Sequence, residues 1–246
     1  LFLLVLIFFT IEFFFLKIWY TRFNQLNESE DIKMDILETM KARHSVRQYK
    51  NQAIESSKRE KINALIKDVN AESKLSIQVF YDEPKCFDSF MAHYGKFENV
   101  KNYIAIVGNK NDQEKAGYYG EKIVLKCQKL GLNTCWVAMT HGKSKAQIKR
   151  GQKLLIIISL GYGETQGVPH KSKSIAELGQ ADQKNEWFEK GMEAVSLAPT
   201  AVNQQKFYFE LKNGIVTAKN LGGFYSRIDL GIVKYHFEVV TGHEVK

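Results

Sequence analysis

Three short runs hold the residues that could do chemistry. In RHSVRQY, residues 43–49, Arg43, Ser45 and Arg47 alternate, with His44 between the first two. Alternate residues of an extended segment share one side. Two forked guanidiniums would then flank a hydroxyl, a donor set suited to phosphate. The same residues could also form a solvated basic turn. In LAPTAVNQQ, residues 197–205, Pro199 ends a helix, and Thr200, Asn203, Gln204 and Gln205 follow. Side-chain amides donate and accept at once, which matches a ligand edge of mixed polarity such as a flavin's. Alternatively, they bond their own backbone. In HKSK, residues 170–173, Lys171 and Lys173 follow Gly161, Gly163 and Gly167. Glycines let backbone approach a ligand closely, and lysines supply point charges.

Other chemistries lack their residues. There is no GxxxxGK[ST], no strand–GxGxxG–helix unit, no GxSxG and no HExxH. His93, His141 and His236 read as surface or core residues. Cys135 stands beside Trp136 with no paired histidine, so it reads as a buried structural thiol. The three cysteines, Cys86, Cys127 and Cys135, form no CxxC. That argues against structural zinc and a disulfide framework, and for a reducing, cytoplasmic setting. The formal charge of +8 suits an anionic ligand. The lysines are scattered without an aromatic–basic ladder, so nucleic acid is not expected. Anion sites without an acid–base pair suggest that a bound cofactor carries the chemistry.

The elements that must position these residues follow from hydrophobic spacing. Residues 34–42 read as a short helix with Ile36, Leu37 and Met40 on one face. A second helix spans 57–69, with Ile62, Leu65, Ile66 and Val69 inward. Residues 75–81 and 103–109 read as strands. A helix covers 117–130 with Gly131 at its end, and 133–139 is extended or irregular. KLLIIISLGYG, residues 153–163, reads as a buried strand. A polar loop, a helix at 186–197, a strand at 207–211 and a last helix at 227–240 complete an α+β fold.

Residues 1–33 stand apart. The run from 1 to 20 is nearly all apolar, interrupted by Glu12 and Lys17. It lacks the basic start and small-residue cleavage site of a signal peptide. One reading is a membrane anchor, for which about 20 apolar residues suffice. The other is a translated leader upstream of a natural start at Met34. Membrane association is expected only on the first.

The chain also repeats itself. Residues 189–211 run helix, polar loop and alternating strand, as residues 60–81 do. Asn70, Ala71 and Lys74 stand in the first copy where Pro199, Thr200 and Asn203 stand in the second. More loosely, residues 232–242 echo 123–131. One specialised and one blank copy in fixed order suggest two halves, about 34–175 and 176–246.

Taken together, these runs resemble the nitroreductase family of FMN enzymes. RHSVRQY resembles its RxSxR[KAQ][FY] signature, and PTAVNQQ its PSSxNxQ loop. KLLIIISLGYG with HKSK resembles its late strand and basic phosphate-binding loop. GYYGEKIVLKCQKLGLNTCW resembles its long helix ending in GLxxxW. The resemblance covers nearly all of 34–240. It implies a mixed central sheet surrounded by helices, and one non-covalent FMN. NADH or NADPH would be the donor. A nitroaromatic, quinone-like or related small molecule would be the acceptor, in a ping-pong cycle. The alternative is a non-catalytic flavin-binding sensor or carrier. The resemblance assigns phosphate, ribityl and pyrimidine edge to Arg43, Ser45 and Arg47, with His44 alongside. Lys171 and Lys173 would bind phosphate. Pro199, Thr200, Asn203 and Gln205 would close the opposite side, and Trp136 would lie near the redox edge. No side chain would be catalytic. Ala201, Lys206 and Phe207 depart from the family loop. The loop also appears late rather than early. This resembles the divergent members in which one chain mimics the family dimer, so a monomer would be possible.

Overall fold

The computed structural model describes residues 35–246, which form one unit. The apolar run at 1–20 and the rest of residues 1–34 lie outside the described residues. Among those described, no helix is long and apolar enough to cross a membrane.

Helix α1 (Ile36–Ala42) buries Leu37 and Met40 and ends at Arg43, whose backbone turns extended. The following segment runs beside strand β3 (Asn133–Val137). Ser45 bridges Thr134 in parallel, and Val46 N donates to Thr134 O at 3.0 Å. This pairing holds 43–47 extended, so Arg43, Ser45 and Arg47 share one side. Val46 and Tyr49 anchor the segment in the core. The Tyr49 hydroxyl donates to Val46 O or Ser159 Oγ, each 2.7 Å away.

Helix α2 (Ser56–Ser73) and strand β1 (Ser76–Phe80) follow. The polar segment around 70–74 is not a loop. The helix runs through it to Ser73, and the Asn70 amide clamps Ile77, donating to its O at 2.8 Å and accepting from its N at 2.7 Å. A short helix α3 (Phe90–Tyr94), which hydrophobic spacing did not reveal, precedes β2 (Asn102–Gly108). Strand β4 (Lys153–Gly161) completes a wholly antiparallel sheet in the order β1-β2-β4-β3. A second sheet holds β5 (Gly179–Ala181), β6 (Phe207–Lys212) and β7 (Ile215–Asn220). Among the strands of the two sheets, parallel pairing joins β5 to β6. The fold is α+β, with helices packed around both sheets. The β5 and β7 segments are short or half-exposed, so alternation did not mark them.

Helix α4 (Gln113–Lys129) starts four residues before the expected Gly117. Gly117 is a contact point, not an entrance. A Cβ there would lie 2.0 Å from Ile228 O of helix α7 (Ser226–Thr241). Reciprocally, a Cβ on Gly231 of α7 would lie 1.9 Å from Glu114 O of α4. Each helix therefore gives up a side chain where the other's backbone passes. Helix α5 (Ile175–Leu178) is capped by Ser174 and Glu177, and α6 (Glu186–Ser196) by Asn185.

Candidate functional site

The extended segment after α1 and the turn after α6 face each other across a cavity of about 240 Å³. Arg43, His44, Ser45 and Arg47 form one wall, and Pro199, Thr200, Val202 and Asn203 the other. Val168 and His170 close it. Adjoining it is a cavity of about 510 Å³ that shares Ser45, Arg47, Pro199, Thr200 and Val202. Its further lining includes Trp136, Met139, Phe224, Tyr225, Ile228 and Asp229. One end is thus small and cationic; the other is roomy and largely apolar. Pockets of this combined size take small molecules and cofactors.

Arg43 is only 3% exposed. Its Nε and Nη1 are buried and have no hydrogen-bond partner among the described residues. Its nearest carboxylate is Glu121 on α4, with Nε 3.9 Å from Oε1. Burial pushes the guanidinium pKa down, and Glu121 works against that shift. Buried donors without partners are costly, and these two belong to a residue that walls the cavity. An anion seated there would lie beside the guanidinium's charge. The residues present therefore fit a phosphate-bearing group.

The loop at 168–173 approaches this wall through Gly167, which has φ of 73°. A Cβ there would meet His44 Cβ at 2.8 Å. His44 and His170 both have pKa values lowered first by burial, and the Arg43 charge lowers each further. His170 Nε2 lies 3.1 Å from Ser196 O.

Lys171, Lys173 and Gln205 do not wall either cavity. They form a clamp beside it. Gln205, 4% exposed, accepts from Lys173 N at 2.8 Å and donates to Lys171 O at 3.0 Å. Asn203 Nδ2 also donates to Lys171 O, at 2.9 Å, and Lys173 Nζ donates to Gln205 O at 3.1 Å. The clamp ties the basic loop to the amide loop.

The amide loop is held in a costly shape. Val202, Asn203 and Gln205 have φ of 47°, 55° and 46°. A β-branched residue in the left-handed region is a genuine outlier, and Val202 is 87% exposed, so burial does not offset it. Asp229 on α7 braces the turn. Its Oδ1 accepts from Ala201 N at 2.9 Å, and its Oδ2 from Gln204 Nε2 at 2.8 Å. Burial raises the Asp229 pKa to about 6, against the pull of those bonds.

Trp136 lines the larger cavity, and its Nε1 donates to Glu121 Oε2 at 3.0 Å. Cys135 lines the same cavity but is nearly all buried, and that burial raises its pKa against the pull of Arg47, Ser45 and Arg43. Among the described residues, no group of His, Cys, Asp or Glu could hold a metal ion.

Sequence reasoning missed Glu121, His170, Val202 and Asp229. Glu121 left a signal. It lies four residues after Gly117 and three before Val124, on the buried stripe of α4. A carboxylate there needs partners. Val202 left none, because its strain belongs to the folded loop.

A family model described as "Putative TM nitroreductase" matches residues 35–241. A "putative nitroreductase" from Thermotoga maritima, known as a crystal structure, is similar at 23% identity. The match covers 86% of this chain and 87% of that one, with a TM-score of 0.61. An "FMN-dependent Nitroreductase" from Clostridium difficile matches at 22% identity over 57% of this chain and 92% of its own, with a TM-score of 0.42. A "putative nitroreductase in complex with fmn" from Desulfovibrio desulfuricans matches at 15% identity over 59% and 95%, with a TM-score of 0.46. No curated protein matches the chain in sequence.

Proposed function

The chain belongs to the nitroreductase family, and from that premise we propose that it binds one FMN non-covalently and works as a flavin oxidoreductase. When bound, FMN would accept hydride from NADH or NADPH and pass electrons to a nitroaromatic, quinone-like or related acceptor, in ping-pong order. The observation that carries this reading is the buried Arg43, with two orphaned donors, at the narrow end of a cleft whose wide end is apolar.

The residues divide the work by chemistry. Arg43 would hold the phosphate with its guanidinium, the strongest kind of donor for that group. Ser45 sits midway along the wall and reaches the ribityl chain. Arg47, at the junction of the two cavities, sets a cation beside the pyrimidine edge and stabilises negative charge there. Thr200, Asn203 and Pro199 close the opposite side, with His44 alongside Arg43. The Gln205 clamp positions Lys171 and Lys173 near the phosphate end. Trp136, Tyr225 and Met139 wall the wider space, where a flat, electron-poor acceptor would lie and water would be excluded.

We read the chain further as two fused halves, about 34–175 and 176–246. The first supplies the arginine wall and the second the amide wall. With α3 as an insertion between its strands, the order α2-β1-β2-α4 parallels α6-β6-β7-α7. The reciprocal crossing at Gly117 and Gly231 supports that reading. One FMN per chain and a functional monomer follow from it.

The test is spectroscopic. Purified protein reconstituted with FMN should show the flavin band near about 450 nm, at one FMN per chain and monomeric sedimentation. NADH or NADPH should bleach it anaerobically, and a quinone should restore it. Arg47→Ala should lose bound FMN. A wild-type chain that stays colourless, or an Arg47→Ala chain that stays fully yellow, refutes the reading. A band that neither nucleotide bleaches would mean a flavin carrier or sensor.

A further inference from the structure

Behind Arg43 lies a group of buried ionisable residues whose protons can be counted. Glu121 and His236 are both fully buried. Neither lines the cavities. Glu121 Oε2 accepts from Trp136 Nε1, and Oε1 lies 3.0 Å from His236 Nε2. The other ring nitrogen of His236, Nδ1, lies 2.8 Å from Ala194 O.

A backbone carbonyl can only accept, so Nδ1 must carry a hydrogen. If Nε2 and Oε1 both lacked one, two lone pairs would face each other at hydrogen-bond distance in a fully buried site. A second proton therefore lies between them. On nitrogen it makes an imidazolium and a carboxylate. On oxygen it makes two neutral groups. Either way the pair carries no net charge. The Arg43 charge is then not cancelled from behind, although Glu121 lies within 4 Å of it.

We propose that His236 is a positioning residue: the proton it shares with Glu121 cancels the carboxylate's charge, which leaves the Arg43 guanidinium free to face a phosphate in the cavity. The proposal rests on the flavin-phosphate reading of that cavity. Without the shared proton, Glu121 and Arg43 would form a closed internal ion pair. The phosphate would then meet a wall of no net charge at its buried end. The other titratable groups near Arg43 do not replace the effect. Burial lowers the His44 and His170 pKa values and raises that of Cys135. All three shifts favour the neutral form.

The test compares FMN with riboflavin, which lacks the phosphate, by fluorescence titration of wild type, His236→Gln and His236→Gln/Glu121→Gln. His236→Gln leaves Glu121 ionised against Arg43. It should weaken FMN binding about tenfold or more, the order expected for a unit charge acting across several ångströms of protein. Riboflavin binding should change less than about twofold, since it presents no charge. The double variant removes the carboxylate charge as well, and should recover FMN binding to near wild type. Equal weakening of FMN and riboflavin would mean a purely structural role and overturn the proposal. So would a double variant no better than the single one. His236→Asn, held to the same pattern, serves if His236→Gln does not fold. A wild-type chain that binds neither flavin would instead sink the reading of the cavity itself.

Discussion

Arg43→Met separates binding from stability, and the structure sets the size of both effects. The substitution removes two buried donors without partners, each of a kind that costs about 1–3 kcal/mol. The attraction to Glu121 across 3.9 Å is small, because the Glu121–His236 pair carries no net charge. Methionine is shorter than arginine and gives up some buried packing, which offsets that relief. Glu121 keeps His236 and Trp136 as partners. It does not become the uncompensated buried charge that costs about 3–5 kcal/mol when an ion pair is broken. The ligand-free variant should therefore unfold in urea within about 2 kcal/mol of wild type. FMN binding should fall about tenfold or more, since a charge-assisted contact of about 1.5–3 kcal/mol is lost. Fluorescence titration of FMN reads the second effect. A loss of about 3–5 kcal/mol in the ligand-free variant would show that Glu121 depended on Arg43, and would refute the proton count. Undiminished FMN affinity would refute the phosphate assignment.

Further expectations follow from other sites. Gly231→Ala places a methyl 1.9 Å from Glu114 O, a backbone atom that cannot swing aside. It should cost about 3 kcal/mol, the upper end of ordinary overpacking, in urea unfolding. Gly117→Ala should cost about as much for the reciprocal reason. Val202→Gly should stabilise the protein by about 1 kcal/mol, because it relieves left-handed strain at an exposed position with little burial to lose. Asp229 titrates near about 6 in the fold, above its unfolded value of about 3.9. Between those values the folded state holds more protons than the unfolded one. The contribution is fully present below the unfolded value and is lost as pH rises through about 6. Urea unfolding across pH 4–7 (approximate bounds from those two values) should show this fall in wild type and lack it in Asp229→Asn.

The elements nearest the arginines were legible because their signals are local. Alternation from Arg43 to Arg47 implied a shared side, and pairing with β3 provides the extended backbone that makes it true. Continuous apolar runs marked β2 and β4, both buried. The fold class followed from the order of such elements. Gly117, in contrast, read as a helix entrance, because sequence spacing cannot say whether a glycine serves its own chain or a passing one. Segment 70–74 read as a loop because Asn70 is polar. Its amide instead clamps the following strand, a bond that exists only once β1 has docked.

By itself, the sequence determined which groups were present: two arginines around a serine, a loop of amides and a basic run. Side-chain chemistry is a property of the residue, so it survives without coordinates. Tertiary structure decided which of those groups face the cleft. It turned Gln205, Lys171 and Lys173 toward one another, and set His44 and Asn203 on opposing walls. It also brought Glu121 and His236, far apart in the chain, to 3.0 Å behind Arg43. Charge compensation depends on distance and on the exclusion of water, and neither exists until the helices have packed.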